Sequence, residues 1–440
     1  MRAVAIAGTL LLGIAACGRD RPEATLDDLR QPTGVALSPE GRLLFVTNGN
    51  WDRSQERGGV LTLDLAPLDG GGKACVDVPA DGRLRCDAKA MVVPGAAVGL
   101  GSAVGNLAID RPGGEGGPLR LLTVQRLPAA VVWMDVIESG GGPTLDCGQA
   151  QDGECDDVHM LDQAFDRPGV ELPDDPSRVV VDDQGYRFAY VPHLLGGAIS
   201  LIALDGELGP ELADVVGEFY RSDPFDETEY AGGFGVDARP CDLANPPAGS
   251  RECTRSVLYT SQRFFPSVRR FAVAPGLDVL VPGDESSLAT VNPEGVHQQP
   301  YLGDLAFEDP AGGTSLLVVQ TTPASLLRVD TTVADDGDPR DAIVGMLPLC
   351  EQPNLLAIHR PSDGEALALV SCYAQGELAI VGLSSWRVLA QLELGEGADE
   401  IAIDPVAQRA YVANTLDDSI SVVSLDRDAA GYLSEIARIE

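Results

Sequence analysis

The side chains in this chain that can do chemistry are mostly carboxylates, with nine cysteines and four dispersed histidines among 440 residues. Two acidic clusters, Asp146, Asp152, Glu154, Asp156 and Asp157, then Asp335, Asp336, Asp338 and Asp341, offer the oxygen ligands that Ca²⁺ takes. Neither has the spacing of an EF-hand loop, and in so acidic a chain a solvated surface is the simpler reading of both. Ca²⁺ or another divalent cation is the cofactor these residues would admit, and none is required. His159, His193, His297 and His359 are scattered, and neither G-x-S-x-G nor H-E-x-x-H occurs, so serine or zinc hydrolysis has no motif behind it. C-x-x-C-H is absent, which excludes a c-type haem. A net charge of −36 argues against a nucleic-acid partner, because a polyanion would be repelled at this surface.

The cysteines carry an address as well as a chemistry. Arg2 precedes an apolar run from Ala3 to Ala16, too short to span a bilayer and typical of a secretory signal. It ends in Ile14, Ala15, Ala16 and Cys17, which resembles the bacterial lipobox, whose Cys receives a diacylglycerol and becomes the new N-terminus. Residues 1–16 are thus expected to be a lipoprotein signal peptide and 17–30 a tether from lipidated Cys17, with the membrane as a partner through that anchor. Gly18 is not the Asp that retains many lipoproteins at an inner membrane, so the outer membrane is the expected location. Export means an oxidising compartment, and the other eight cysteines fall into sequence neighbours: Cys75 with Cys86, Cys147 with Cys155, Cys241 with Cys253, and Cys350 with Cys372. Four local disulfides are the natural reading among the 105 pairings that eight cysteines permit, while zinc is disfavoured by the lack of C-x-x-C and of histidines at ligand spacing.

What positions these groups is an internal repeat. Pro32 to Asn48 followed by Gly59 to Leu65 matches Ala398 to Asn414 followed by Ser419 to Leu425: a short apolar strand, a turn, a second strand ending in a polar residue, and an alternating third strand. Further copies of the first strand stand at Leu107-Ala108-Ile109, Val179-Val180-Val181, Leu305-Ala306-Phe307 and Leu356-Ala357-Ile358, with a degenerate one at Leu243-Ala244-Asn245. A fourth strand is visible in places, as at Trp386 to Leu394 and Leu433 to Ile439. Sheets this short cannot bury an apolar face alone, whereas stacking them radially gives each two neighbours. The expected fold is therefore all-β, a seven-bladed β-propeller over residues 31–440, monomeric, with long insertions at 66–104, 138–176, 206–238 and 274–302 forming a rim on one face.

The repeats resemble the YVTN-repeat propellers, whose name motif stands here as Tyr411-Val412-Ala413-Asn414 and Phe45-Val46-Thr47-Asn48, more loosely as Tyr190-Val191-Pro192-His193. That resemblance implies fold more than activity, since such propellers include lactonase-like enzymes, adhesive modules and relatives of the haem d₁ propeller. Closure would bring two rings of residues to one channel mouth. The first, just before strand one, is Gly34, Asn106, Arg178, Asp242, Asp304, Leu355 and Glu400; the second, closing strand two, is Asn48, Gln125, His193, Gln262, Gln320, Cys372 and Asn414. The second ring fits side chains that bond backbone groups at the strand-two turn, with ligand contact as the rival reading. In the first ring, Arg178 mixed with Asp242, Asp304 and Glu400 fits either a solvated mouth or a site for a polar molecule or cation. The resemblance to lactonases, which use acidic residues and His at the mouth, makes His193, Asp242, Asp304 and Glu400 the analogous residues for metal-assisted hydrolysis. The leading expectation is nonetheless a non-enzymatic, membrane-tethered module that binds a partner protein, glycan or small molecule.

Overall fold

Strands of alternating apolar residues must bury both faces or remain half exposed, and here second strands such as Leu43–Asn48 and Arg409–Asn414 bury both. In the computed structural model seven sheets stand in a ring, the four blade strands of each antiparallel and in sequence order from inner to outer. The structure describes residues 21–440 apart from 24–25, 71–72, 79–81, 115, 141, 149–154, 163–170, 183–185, 196, 217–232, 241–255, 275, 289–300, 310–311 and 336. The inner strands are Pro32–Leu37, Ser102–Asp110, Val180–Val181, Gly233–Ala238, Tyr301–Phe307, Pro353–His359 and Ala398–Asp404. Neighbouring blades touch around the whole circle, and the last inner strand packs on the first. The expected seven-bladed propeller is the fold.

The core consists of apolar layers between neighbouring blades. Along Leu43–Asn48 of the first blade, Leu44 and Val46 point into the layer shared with the seventh blade, whereas Leu43 and Phe45 point into the layer shared with the second. Period-two alternation of large apolar side chains thus fills two layers from one strand, which is why both strand faces read as hydrophobic.

Ring closure uses an unexpected device. Residues Cys75–Val78 and Arg83–Cys86 form a hairpin, and Arg83–Cys86 pairs in parallel with the outer strand of the seventh blade, Glu435–Ile439. The hairpin is stapled by the Cys75–Cys86 disulfide, and its end is tied by Glu440 N donating to the Cys86 carbonyl and Ala88 N donating to the Glu440 carbonyl, both at 2.9 Å. Arg83 pairs with Glu435, and Cys86 and Ile439 are fully buried in the shared layer. A segment of blade one therefore latches blade seven from outside.

Two sequence expectations change. The fourth blade begins with Gly233–Ala238, not with Leu243-Ala244-Asn245, which lies outside the described residues. The connections are shorter than expected, because each stretch holds its blade's fourth strand: Val92–Leu100, Gly142–Asp146 continued by Met160–Asp162, Gly209–Val216 and Leu280–Ser287. Residues 66–91 accordingly join strands three and four of blade one and supply the latch, not a rim over the mouth. The disulfides Cys75–Cys86, Cys147–Cys155 and Cys350–Cys372 are present, and Cys241 with Cys253 lies outside the described residues.

The N-terminal approach is also defined. The Pro22 carbonyl accepts the Glu56 amide at 3.0 Å, in the loop between strands two and three of blade one, and Arg30 N donates to Asn48 Oδ1 at 3.0 Å. The chain thus reaches the ring along the face where second strands end.

Candidate functional site

Each inner strand contributes the residue just before its apolar core to the axis of the ring. Arg178, Asp304 and Glu400, from the third, fifth and seventh blades, meet there: Arg178 Nη1 donates to Asp304 Oδ2 at 3.1 Å and Nη2 donates to Glu400 Oε1 at 3.1 Å. Residues nearly a hundred or more positions apart in sequence form one ion triad, with side-chain exposures of 10%, 7% and 13%. Burial pushes the Glu400 carboxyl up to about 7 and raises that of Asp304, although Arg178 pulls both down. Burial opposes the charge of Arg178, but the surrounding carboxylates outweigh it and hold its guanidinium above its ordinary value.

The other first-ring positions hold the blades together. Asn106 donates Nδ2 to the Val179 carbonyl and accepts the Val179 amide on Oδ1, both at 2.9 Å, so one side chain bridges blades two and three as a strand would. Replacing Asn106 with Leu leaves that buried peptide unit unpaired and is expected to cost about 2–3 kcal/mol in urea unfolding. Gly34 has no room for a side chain: a Cβ there would lie 2.7 Å from Asn106 Cα. In the fourth blade the equivalent position is Gly235, where a Cβ would lie 2.8 Å from Asp304 Cα. Asp242 lies outside the described residues and is not the first-ring residue of that blade.

The second ring is turned inward. Gln125 Oε1 accepts the Gly101 amide at 2.7 Å, Gln320 Nε2 donates to the Pro323 carbonyl at 2.9 Å, and Asn414 Nδ2 donates to Ser419 Oγ and Ser421 Oγ at 3.0 Å. His193 shares hydrogen bonds with the Asp174 carbonyl and Ser200 Oγ, and burial pushes it down to about 4, so it is neutral. Gln262 is buried at its strand end like the others. His193 therefore does not join Asp304 and Glu400 in one constellation.

The groups that do open into space sit one residue away from the two rings. Asp399 precedes Glu400, Asn354 precedes Leu355, and Arg263, Thr321 and Tyr373 follow Gln262, Gln320 and Cys372. With Tyr301, Thr322 and Gln352 they line a recess of about 480 Å³ over blades four to seven, while Asn354 and Asp399 also face a smaller axial cavity of about 180 Å³ beside Arg178 and Glu400. Arg263 Nη1 donates to the Leu302 carbonyl, Thr321 Oγ1 and Asn354 Oδ1 at 3.2, 3.3 and 3.0 Å, and its guanidinium lies 4.5 Å from the Phe234 ring. Asn354 Nδ2 in turn donates to Asp399 Oδ1 at 3.2 Å. Burial pushes Asp399 up to about 6, against the Asn354 hydrogen bond and two guanidinium charges, and burial lowers Arg263. The signal for these residues is the same repeat alignment, read one position before the first ring and one position after the second.

Among the described residues no three His, Cys, Asp or Glu side chains group where they would share a metal ion. Of the acidic clusters, Asp146 accepts Gly148 N, Asp156 accepts Val158 N and His159 N, and Asp341 accepts Ser286 Oγ, while Asp152, Glu154 and Asp336 lie outside the described residues.

No family model matches the chain, and neither does any curated protein. Among solved structures it is similar to the periplasmic gluconolactonase PpgL of Pseudomonas aeruginosa, at a TM-score of 0.53 and 17% identity over 84% of this chain and 87% of that one. It is similar to hydrazine synthase of Kuenenia stuttgartiensis at 0.53 and 14% identity, over 92% and 97% of the two chains. Sqt1 of Saccharomyces cerevisiae matches at 0.54 and 9% identity, over 92% and 85%. Identities this low and names this diverse establish the propeller fold alone.

Proposed function

We propose that this chain is an exported lipoprotein, anchored in the outer membrane through Cys17, whose propeller binds a small polar ligand at the channel mouth. The observation that carries the binding role is the recess in which Arg263 and Asp399 line a space of ligand size beside two tyrosines, Tyr301 and Tyr373. The YVTN-type repeats and the lipobox-like Cys17 support the address, and the docking of Pro22 beside the mouth fits a tether arriving on that face.

The rival, a metal-assisted lactonase-like hydrolase, draws on the likeness to a gluconolactonase. Against it, the guanidinium of Arg178 occupies the place between Asp304 and Glu400 where a divalent cation would sit, and His193 is committed inside its blade. The deciding experiment is calorimetric titration of the mature protein with neutral sugars, carboxylic acids, amines and amino acids, alongside a lactone-hydrolysis screen. Binding that disappears in Tyr373→Ala is the expected outcome; hydrolysis lost in both Asp304→Ala and Glu400→Ala would overturn the binding role. Anchoring is tested separately: Cys17→Ser is expected to move the protein from the membrane pellet to the soluble periplasmic fraction, and an unchanged distribution would remove the lipid anchor from the reading.

A further inference from the structure

Within the ion triad each charged group has an oppositely charged neighbour: Arg178 serves both Asp304 and Glu400. In the larger recess the charges are not. Among the described residues neither Arg263 nor Asp399 has an oppositely charged partner within 4.0 Å. Both are nonetheless fixed, because Asn354 stands between them, accepting from Arg263 with its oxygen and donating to Asp399 with its nitrogen. An asparagine amide keeps a guanidinium and a carboxylate one amide's width apart and prevents them from collapsing on each other.

A desolvated charge without a partner is costly, so a pair held apart in one cavity needs a reason. An anionic ligand on Arg263 would sit against the carboxylate of Asp399, and a cationic ligand on Asp399 would sit against the guanidinium. A neutral polyol would leave both charges unanswered. From this arrangement, and building on the reading that the mouth binds a small polar molecule, we infer that the recess takes a small zwitterion, its anionic group on Arg263 and its ammonium on Asp399. The rest of the lining fits: Thr321, Thr322 and Gln352 supply neutral hydrogen-bond groups, and the rings of Tyr301 and Tyr373 are aromatic walls for the ligand's body and its cationic end. A volume of about 480 Å³ exceeds what the charged ends alone need, leaving room for a side chain.

The same chemistry belongs to free amino acids and to the ethanolamine phosphate of a lipid headgroup, and one experiment separates the sources. The purified mature protein is titrated calorimetrically with L-glutamine, with N-acetyl-L-glutamine, which lacks the ammonium, with L-glutamine amide, which lacks the carboxylate, and with glycerophosphoethanolamine. A zwitterion, glutamine or the phosphoethanolamine, is expected to bind at least tenfold more tightly than either singly charged analogue. In Asp399→Asn the zwitterion should fall to the level of the acetylated analogue, and in Arg263→Lys it should weaken while the protein keeps its unfolding midpoint and circular dichroism. Equal binding of the acetylated compound and glutamine, or an Asp399→Asn variant that discriminates like the native protein, would overturn the zwitterion. Binding confined to sugars or to simple acids or amines would do the same and leave the mouth as a ligand site, whereas no binding by any probe would remove both readings.

Discussion

Replacing Arg178 with Met should lower the unfolding free energy at pH 8 by about 3–5 kcal/mol, the usual cost of stranding buried charges when their partner is removed. Asp304 and Glu400 would then share the axis without the guanidinium that both now accept from. The loss should shrink toward pH 5, because Glu400 already titrates up at about 7 with its arginine present and protonation removes the stranded charge. The sign follows from linkage. A carboxyl whose folded value is raised contributes stability that is fully present below its unfolded value, near 4.5, and lost as pH rises through about 7. Guanidinium chloride unfolding of both proteins at pH 5 and pH 8 measures this, and a penalty independent of pH would mean that Arg178 acts through packing.

The second large effect concerns the latch. Ile439 is fully buried and pairs with Cys86 across the parallel ladder, in the layer between the seventh and first blades. Ile439→Ala should therefore cost about 2–5 kcal/mol, as for other truncations in a close-packed core. Converting Cys75 and Cys86 together to Ser should cost roughly 2–3 kcal/mol through the entropy of the freed loop. Ring closure predicts where the damage appears: amide exchange should accelerate in Pro32–Leu37 and in Glu435–Ile439 together, despite their separation in sequence. Acceleration confined to the hairpin would show that the ring is held shut by its inner strands alone.

Much of the fold was legible because strand two of each repeat is unambiguous. Leu43–Asn48 and Arg409–Asn414 alternate large apolar residues and end in Asn, and both faces are buried. Fourth strands were harder: Ala342–Pro348 alternates exposed and half-buried residues because only one face meets the blade, leaving no strong apolar period. The inner strand of the fourth blade was misplaced because Gly233–Ala238 carries Asp237 where the other repeats have an apolar residue between two apolar ones, while Pro240 to Gly249 imitates the proline and glycine spacing of the first repeat. At the site, the repeat alignment brought Arg178, Asp304 and Glu400 to one opening, but that Arg178 pairs with both carboxylates depends on distances across the axis that no local pattern contains. Asp399 and Arg263 were passed over because one position per strand was read, although the neighbouring position turns from the blade interior toward open space.

If Cys17 carries the proposed lipid anchor, the docking of Pro22 against Glu56 limits how the molecule would stand on a bilayer. With acyl chains on Cys17, only the few residues up to Pro22 separate lipid from folded protein, a leash of at most about 18 Å when taut. That leash arrives on the side where the recess opens, so the opening would look down at the headgroups from a gap narrower than a small protein domain, about 30 Å across. Small solutes would reach Arg263 and Asp399 by sliding in sideways beneath the ring, and bulky folded partners would be confined to its rim and its far face.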